Sequence, residues 1–358
     1  MKKLFWLGLA LSIISCGNEK GMGKPPASGL PGDMFLVMDS TQWRGPLGDA
    51  LDSTFNASMP GLPRDEGIFN MKWIDPRKLN FVLKQRRNLI FAMTLDKRGY
   101  GAEIVKKLFT KESIDKIRQE PEIYLKTIKN VFANGQEVMF LFGNTEVDLV
   151  KKIRENKSKL IEFFELTERE RLNYGLFKAG TQKGIVGIVQ KDFKCELKVP
   201  FGYKLADNNK EFLWLRQINA YDDKDVFIAR KKYVSEKQYS ADSILQMRNS
   251  FCKKYLYEDP EKIDSYLVTE TVNAPVESKQ INFNGKLAVE TRGLWKTNNL
   301  AMGGPFLSYT FVDEGAGMLY YIEGFTYSPG KKQREIMREL EVILRTFKTS
   351  KELAAEKK

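Results

Sequence analysis

The second half of the chain is a series of short apolar runs that alternate with polar residues and close on turn signals, and this pattern most constrains the fold. Strands are expected near 193–199, 211–217, 225–232, 265–272, 279–283, 286–292, 306–312 and 318–326, because period-two alternation sets one face of each against a core. Asn284-Gly285 between two of them is a tight hairpin signal, since both residue types accept the left-handed backbone of a two-residue turn. One helix, Ser240 to Tyr257, interrupts the strands. A last helix, Lys331 to Phe347, carries Ile336, Leu340, Ile343, Leu344 and Phe347 on one face. Strands joined by hairpins, with few helices, predict an α+β fold with mainly antiparallel sheets packed against helices.

The first half reads less sharply. A strand is expected at Met34–Met38, a helix over Leu47 to Phe55, and a strand from Leu89 to Leu95 leading into a helix from Ala102. Two strands flank Asn134-Gly135, and a charged helical region from about Thr145 to Phe177 breaks near Asn156-Lys157-Ser158. A further helix covers Gly184 to Lys191. A chain of 358 residues is too long for one comfortable core. Two α+β domains are expected, over 33–180 and 181–358. Both halves share a strand–helix–hairpin–helix outline, which suggests a weak internal duplication.

Ahead of these domains stands MKKLFWLGLALSIISCG. Lys2 and Lys3 precede an apolar run, Leu4 to Ile14, that is too short to span a bilayer. The run ends in Ile13-Ile14-Ser15-Cys16, which resembles the lipobox cut by the bacterial lipoprotein signal peptidase. The resemblance implies loss of residues 1–15 and acylation of Cys16, and a multiply acylated cysteine anchors stably. Gly17, rather than the Asp that marks inner-membrane retention, follows it, so outer-membrane sorting is expected, with the body facing the periplasm. Residues 16–32, rich in Gly, Pro and Ser, read as a lipidated tether. Loss of Lys2 and Lys3 lowers the formal charge from +12 to +10. Export excludes nucleic acid as the partner of that charge, which leaves phospholipid headgroups, lipopolysaccharide phosphates and acidic glycans, or simple solvation of lysine-rich helices.

Histidine is absent. That removes His-based triads, His general bases and His metal ligands, and no cofactor or metal site is expected. Cys195 and Cys252 remain after lipidation, and export leaves open a disulfide between them or two buried thiols. The Gly99-Tyr100-Gly101 loop before a helix lacks the third glycine of a dinucleotide fingerprint, for Ile104 stands there. Ser113-Ile114-Asp115-Lys116 matches a Ser-x-x-Lys pattern, without the accompanying motifs of acyl enzymes. Glu290 and Glu323 lie in apolar strands, and facing carboxylates there would suit hydrolysis of a glycan; pairing with Arg292 or a lysine is the alternative. Asp222, Asp223 and Asp225 read as hairpin turn chemistry, since a calcium loop would add a Gly and a terminal Glu. Three short stretches, Asp39-Ser40-Thr41, Asp52-Ser53-Thr54 and Asp242-Ser243-Ile244, resemble a bacterial O-glycosylation signal or are helix caps.

Several stretches resemble a family of predicted bacterial lipoproteins of unknown function. They are Trp43 with Gly45, Leu62-Pro63-Arg64-Asp65-Glu66 ending at Phe69, Arg87-Asn88, and Glu168-Arg169-Glu170-Arg171. Val199-Pro200-Phe201-Gly202-Tyr203, Phe212-Leu213-Trp214-Leu215-Arg216, Arg292-Gly293-Leu294-Trp295, Met302-Gly303-Gly304-Pro305-Phe306, and Pro329 with Lys332 continue the likeness. The family pattern Gln-x-Glu-Pro departs here to Arg64-Asp65-Glu66-Gly67. The family implies a lipid anchor, leaves activity open and adds no catalytic residue. Loops that combine Trp, Arg and Gly either carry binding surfaces or shape tight turns between sheets and helices, and on the first reading Trp43, Glu66, Arg216, Arg292, Trp295 and Gly304 form the expected groove. The expected function is a non-enzymatic binding or scaffolding lipoprotein for an envelope protein or anionic polymer. The alternative is a carboxylate-dependent hydrolase of envelope glycans.

Overall fold

The computed structural model describes residues 23–220, 222–257, 264–299 and 302–356. The leader and Cys16 lie outside the described residues. The chain divides into two compact units, one of residues 1–57 and 67–168, the other of residues 58–66 and 169–358. The division falls inside a helix, between Glu168 and Arg169, ahead of the 180/181 boundary expected where the helical pattern ends.

The first unit contains β1 (Asp33–Val37), α1 (Ser40–Trp43), α2 (Pro46–Phe55), β2 (Asn70–Ile74), α3 (Phe81–Lys84), β3 (Asn88–Thr94), α4 (Tyr100–Lys106), α5 (Lys111–Gln119), β4 (Leu125–Lys129), β5 (Glu137–Gly143), α6 (Glu146–Glu155) and most of α7 (Lys157–Phe177). Its sheet runs β2-β1-β3-β5-β4. The three pairings β1–β2, β1–β3 and β3–β5 are parallel, and only β4–β5 is antiparallel. The mainly antiparallel pairing expected of this domain is therefore corrected. The reason lies in β1 and β3, whose every residue is buried. Strands covered on both faces by helices are those of parallel sheets. Met34, Leu36 and Ile90 pack with α2, α6 and α7 on one face. Phe35, Val37, Leu89 and Phe91 pack with α4 and α5 on the other.

The segment expected as a free tether is fastened over its later part. Ala27 N donates to Asn134 O (2.8 Å), Ser28 N to Gln85 O (2.9 Å) and Arg87 N to Ser28 O (3.0 Å). Buried Glu168 closes this region by accepting from Asn88 Nδ2 (2.9 Å), the Arg87 guanidinium (3.0 Å) and Gly32 N (3.3 Å).

The second unit holds α8 (Lys183–Phe193), β6 (Lys204–Asn208), β7 (Phe212–Ile218), β8 (Asp223–Lys232), α9 (Ala241–Tyr255), β9 (Leu267–Glu270), β10 (Glu277–Phe283), β11 (Lys286–Thr297), β12 (Gly303–Asp313), β13 (Met318–Tyr327), α10 (Arg334–Leu344) and α11 (Ser350–Glu356). All its pairings are antiparallel, along β10-β11-β12-β13-β8-β7-β6, with β9 on the far half of β11. Asn284 (φ 52°) and Gly285 (φ 87°) make the predicted tight turn between β10 and β11. The two-domain α+β class holds. The two sheets differ in topology, so the suggested duplication has no structural counterpart.

Alternation gives the second sheet two distinct faces. Tyr321, Phe325, Phe227 and Phe212 meet Ile244, Met247, Phe251 and Cys252 of α9 on one face. On the other, α10 approaches so closely that a Cβ on Gly324 would lie 2.9 Å from the Leu340 Cβ. Residues 193–199 are not a regular strand; they contribute one bridge, Glu196 to Lys348, although Cys195, Leu197 and Val199 are buried in alternation.

A fully buried ion pair locks α9 to its face. Arg248 donates to both oxygens of Glu323 (2.7 and 2.8 Å) and to Thr269 Oγ1 (3.1 Å), and its guanidinium lies 4.0 Å from the Phe306 ring centre. Removing one partner of such a pair strands the other charge in the core, which costs about 3–5 kcal/mol. Arg248→Ala is expected to lose that much in urea unfolding, whereas the volume-matched double replacement Arg248→Met, Glu323→Leu loses clearly less. On the other face Glu66 accepts from Gln333 N (2.7 Å) and Arg334 N (3.3 Å) at the start of α10. Glu66→Ala is expected to cost about 1 kcal/mol by leaving those amides bare; an unchanged melting curve would contradict this cap.

Candidate functional site

Helix α9 covers only part of its sheet face. Beyond its C-terminal end the strands β7, β8, β13 and β11 leave a cavity of about 130 Å³. Strand register explains who lines it. Arg216 pairs with Asp225, which pairs with Phe325, so the three side chains form one row across the face. One step along, Asp223, Tyr327 and Trp295 line the same cavity, and Trp214 forms its inner wall. Leu256, Leu267 and Met302 complete the apolar part.

Gly304 makes room for one wall. A Cβ there would sit 2.0 Å from Thr326 O and 3.1 Å from the Trp295 Nε1. Without it, the Trp295 indole donates to Thr326 O (3.2 Å) and its ring meets Phe325 edge-on at 5.7 Å. Buried Trp295 is thus fixed as a rigid surface rather than a mobile flap.

The charged groups of the cavity are Arg216, Asp223 and Asp225. Arg216 Nε and Trp214 Nε1 both donate to Asp225 Oδ1, each at 2.9 Å. Among the described residues Oδ2 receives no donor. Arg216 Nη2 stands 3.6 Å from Asp223 Oδ2, and its guanidinium stacks on Trp214 with 4.7 Å to the ring centre. Asp225 is 2% exposed. Burial pushes its carboxyl up to about 7, against the opposing pull of Arg216 and Trp214 and with help from Asp223. Burial also raises Asp223, again against Arg216.

Three of the six expected groove residues, Arg216, Trp295 and Gly304, come together here. The others do not. Arg292 projects from the opposite face of the sheet and, with Arg345 and Arg169, surrounds Glu341 at 2.6–3.0 Å. Burial works to raise Glu341, but those three guanidinium groups hold it well below the carboxylate range. Glu66 caps α10, and Trp43 lies in the first unit, stacked parallel to Trp73 at 6.2 Å. Trp214, Asp223, Asp225 and Tyr327 belong to the site but were not expected in it. Asp222 alone makes the turn, through Asn219 N to Asp222 O (3.0 Å). The alternation Asp223, Asp225, Phe227 was the available sign that the other two face inward.

The remaining motifs resolve as structure. Glu290 and Glu323 point to opposite faces, because Glu290 pairs with Tyr309 and Tyr309 with Ile322, the neighbour of Glu323. Glu290 binds Arg292 (3.0 Å) and Lys279 (3.2 Å), so no facing carboxylate pair exists there. Cys195 and Cys252 are both buried and unbonded. Cys252 packs with Tyr321, whereas Cys195 lies near Tyr320, on the other face; the sheet separates the sulfurs. Burial raises the Cys252 thiol to about 12, which keeps it inert. At α4 the helix-end amide of Ala102 donates to Asp39, which occupies the place an anion would take. Asp39 also caps α1 through Thr41 N (2.9 Å), so Asp39-Ser40-Thr41 is a helix cap, and the Thr54 hydroxyl is buried on Ala50 O (2.6 Å). Ser113 is buried against Thr110, and Lys116 pairs with Glu120 at 3.8 Å. No group of metal-binding side chains occurs among the described residues.

With this geometry in place, two stretches of the chain are found to match families of unknown function. Residues 183–346 match the family described as Domain of unknown function (DUF4837), and residues 27–176 match Domain of unknown function (DUF8532). The likeness to an uncharacterised family holds; lipid attachment is a separate matter. No curated protein matches the chain. Among solved structures, the Ran-binding protein Mog1p of Saccharomyces cerevisiae is 8% identical, with 44% of this chain and 90% of that one covered and a TM-score of 0.29. A STAR-related lipid transfer protein from Xanthomonas axonopodis is 11% identical, with 40% and 96% covered and a TM-score of 0.21. Scores this low carry no argument about fold or function.

The Asp225 shift sets a pH dependence. A folded carboxyl that keeps its proton to about pH 7, against an ordinary 3.8, binds more protons than the unfolded chain between those values. Its contribution to stability is full below the ordinary pKa and is lost as pH rises toward 7. The melting temperature of the wild type relative to Asp225→Asn should therefore fall between pH 4.5 and pH 7.5 (about the window these pKa values define). A difference that stays flat across this window would show that Asp225 is ionised throughout.

Proposed function

We propose that this chain is an outer-membrane-anchored, periplasm-facing lipoprotein that acts by binding, not by catalysis, and that its ligand enters the cavity beside Trp214 and Arg216. One observation carries the choice of binding: the walls are rigid aromatic rings, and the charged groups within engage one another through a single guanidinium. Such an arrangement recognises a group by shape and charge. A glycosidase needs two carboxylates on opposite sides of a bond; Asp223 and Asp225 stand two residues apart on one strand and share Arg216. The net charge of +10 expected after leader removal favours residence beside an anionic envelope surface. No described helix is long and apolar enough to cross a membrane, which is compatible with attachment by lipid.

Two measurements test this. The wild-type protein should fractionate with outer membranes and carry acyl chains by mass spectrometry, and Cys16→Ser should lose both properties. After gentle crosslinking in the native envelope, the wild type should recover a partner that Trp214→Ala fails to recover. Equal recovery by both would remove the cavity from the function. Turnover of an envelope glycan that vanishes in Asp225→Asn would replace binding with hydrolysis.

A further inference from the structure

The cavity has a composition that selects against most ligands. Its charged lining is two carboxylates and one guanidinium, which sums to one negative charge when all are ionised. The rest is aromatic or aliphatic apart from Thr297. An anionic group would meet that charge and the negative faces of the rings. A neutral sugar or alcohol leaves Asp225 holding its proton to about pH 7, whereas a cation draws off that proton and pairs with the second carboxylate. A cation satisfies both features, since ring faces and carboxylates attract it together. The cavity already contains one example: the Arg216 guanidinium lies on the Trp214 ring and against both acids.

On the reading that this unit is a binding module, we propose that the cavity takes an alkylammonium head group, held between the Trp295, Phe325 and Tyr327 rings and the carboxylates of Asp223 and Asp225. Two geometric points support this choice. Asp225 is 2% exposed, lines the cavity, and has both its donors on Oδ1, which leaves the acceptor Oδ2 available to a ligand. Arg216 reaches Asp223 only at 3.6 Å, so the second acid is loosely held and open to a better partner. The volume of about 130 Å³ suits a compact head group with its substituent leaving through the mouth, and not a sugar chain. Burial raises the Asp225 carboxyl, with Asp223 a smaller contribution, so it holds a proton that an entering cation can displace. Lysine side chains and amine-bearing lipid head groups both present this chemistry.

The test uses the full mature chain and four probes: choline, ethanolamine, n-butylammonium as the lysine mimic, and 3,3-dimethylbutan-1-ol, the uncharged carbon isostere of choline. Binding is read by tryptophan fluorescence and by the indole N–H resonances of Trp214 and Trp295. At least one ammonium probe should bind about tenfold or more tighter than the isostere, the size expected of a desolvated cation on aromatic rings and carboxylates. Preference for choline or ethanolamine assigns a lipid source, and preference for butylammonium a protein one. Asp223→Asn, at the rim of the cavity, should weaken that probe severalfold, and the wild-type comparison with the isostere stands even if a variant fails to fold. Equal binding of the isostere, or no binding of any ammonium, overturns the proposal. If a crosslinked partner is still lost in Trp214→Ala under that outcome, the binding function survives and only the ligand class falls.

Discussion

The pairing of Arg248 with Glu323 is the constraint from which the second unit takes its shape. Two charges at the centre of an apolar layer tolerate one arrangement, because displacement of α9 separates them and leaves each charge buried without its counter-charge. The hydrophobic contacts around them, among Phe212, Phe227, Phe251 and Tyr321, are permissive about register by comparison. A helix so fixed must end at a fixed place. Leu256, the residue at which α9 stops, is one of the cavity walls. The position of the site is therefore a consequence of a polar contact well inside the core.

The two faces of the same sheet carry charge in opposite ways. On the α10 face, Glu341 takes three guanidinium groups and Glu290 takes Arg292 and Lys279, so the carboxylates there are saturated and ionised. On the α9 face beyond the helix end, two carboxylates share a single guanidinium. Full satisfaction makes a buried network rigid and inert; incomplete satisfaction leaves a site with something to gain from a ligand. This contrast, more than the cavity itself, supports the proposed binding role for the α9 face.

Much of this architecture was legible in the sequence. The stripe from Ile336 to Phe347 became α10, and Asn284-Gly285 became the turn it predicts. The break at Asn156 separates α6 from α7 as expected. Strand β2 escaped notice because it forms one edge of its sheet, where residues such as Lys72 blur the alternation, whereas β4 and β5 are the two strands expected around Asn134-Gly135. The continuous apolar runs Phe35 to Val37 and Leu89 to Met93 were visible, yet were not read as the mark of parallel pairing. Residues 195–199 show the converse error: their alternation reports burial on one side, which a coil lying on a core produces as readily as a strand does. For the site, Arg216, Trp295 and Gly304 were readable as loop-associated aromatic and basic residues. Asp225 was not, because aspartates beside a turn usually serve the turn, and only the pairing across β7, β8 and β13 shows this one turned inward.

The short stretch of residues 58–66 carries a consequence for how the chain acquires its form. It is encoded early, between α2 and β2, yet belongs with the C-terminal unit. Glu66 waits for amide partners 267 and 268 residues downstream. At ribosomal speeds of about 5–20 residues per second, that interval lasts roughly 15–50 s. A ribosome releases this carboxylate long before its destination exists, and a polypeptide begun at residue 169 would never possess it. The fold of the C-terminal half thus includes a strap encoded near the beginning of the chain.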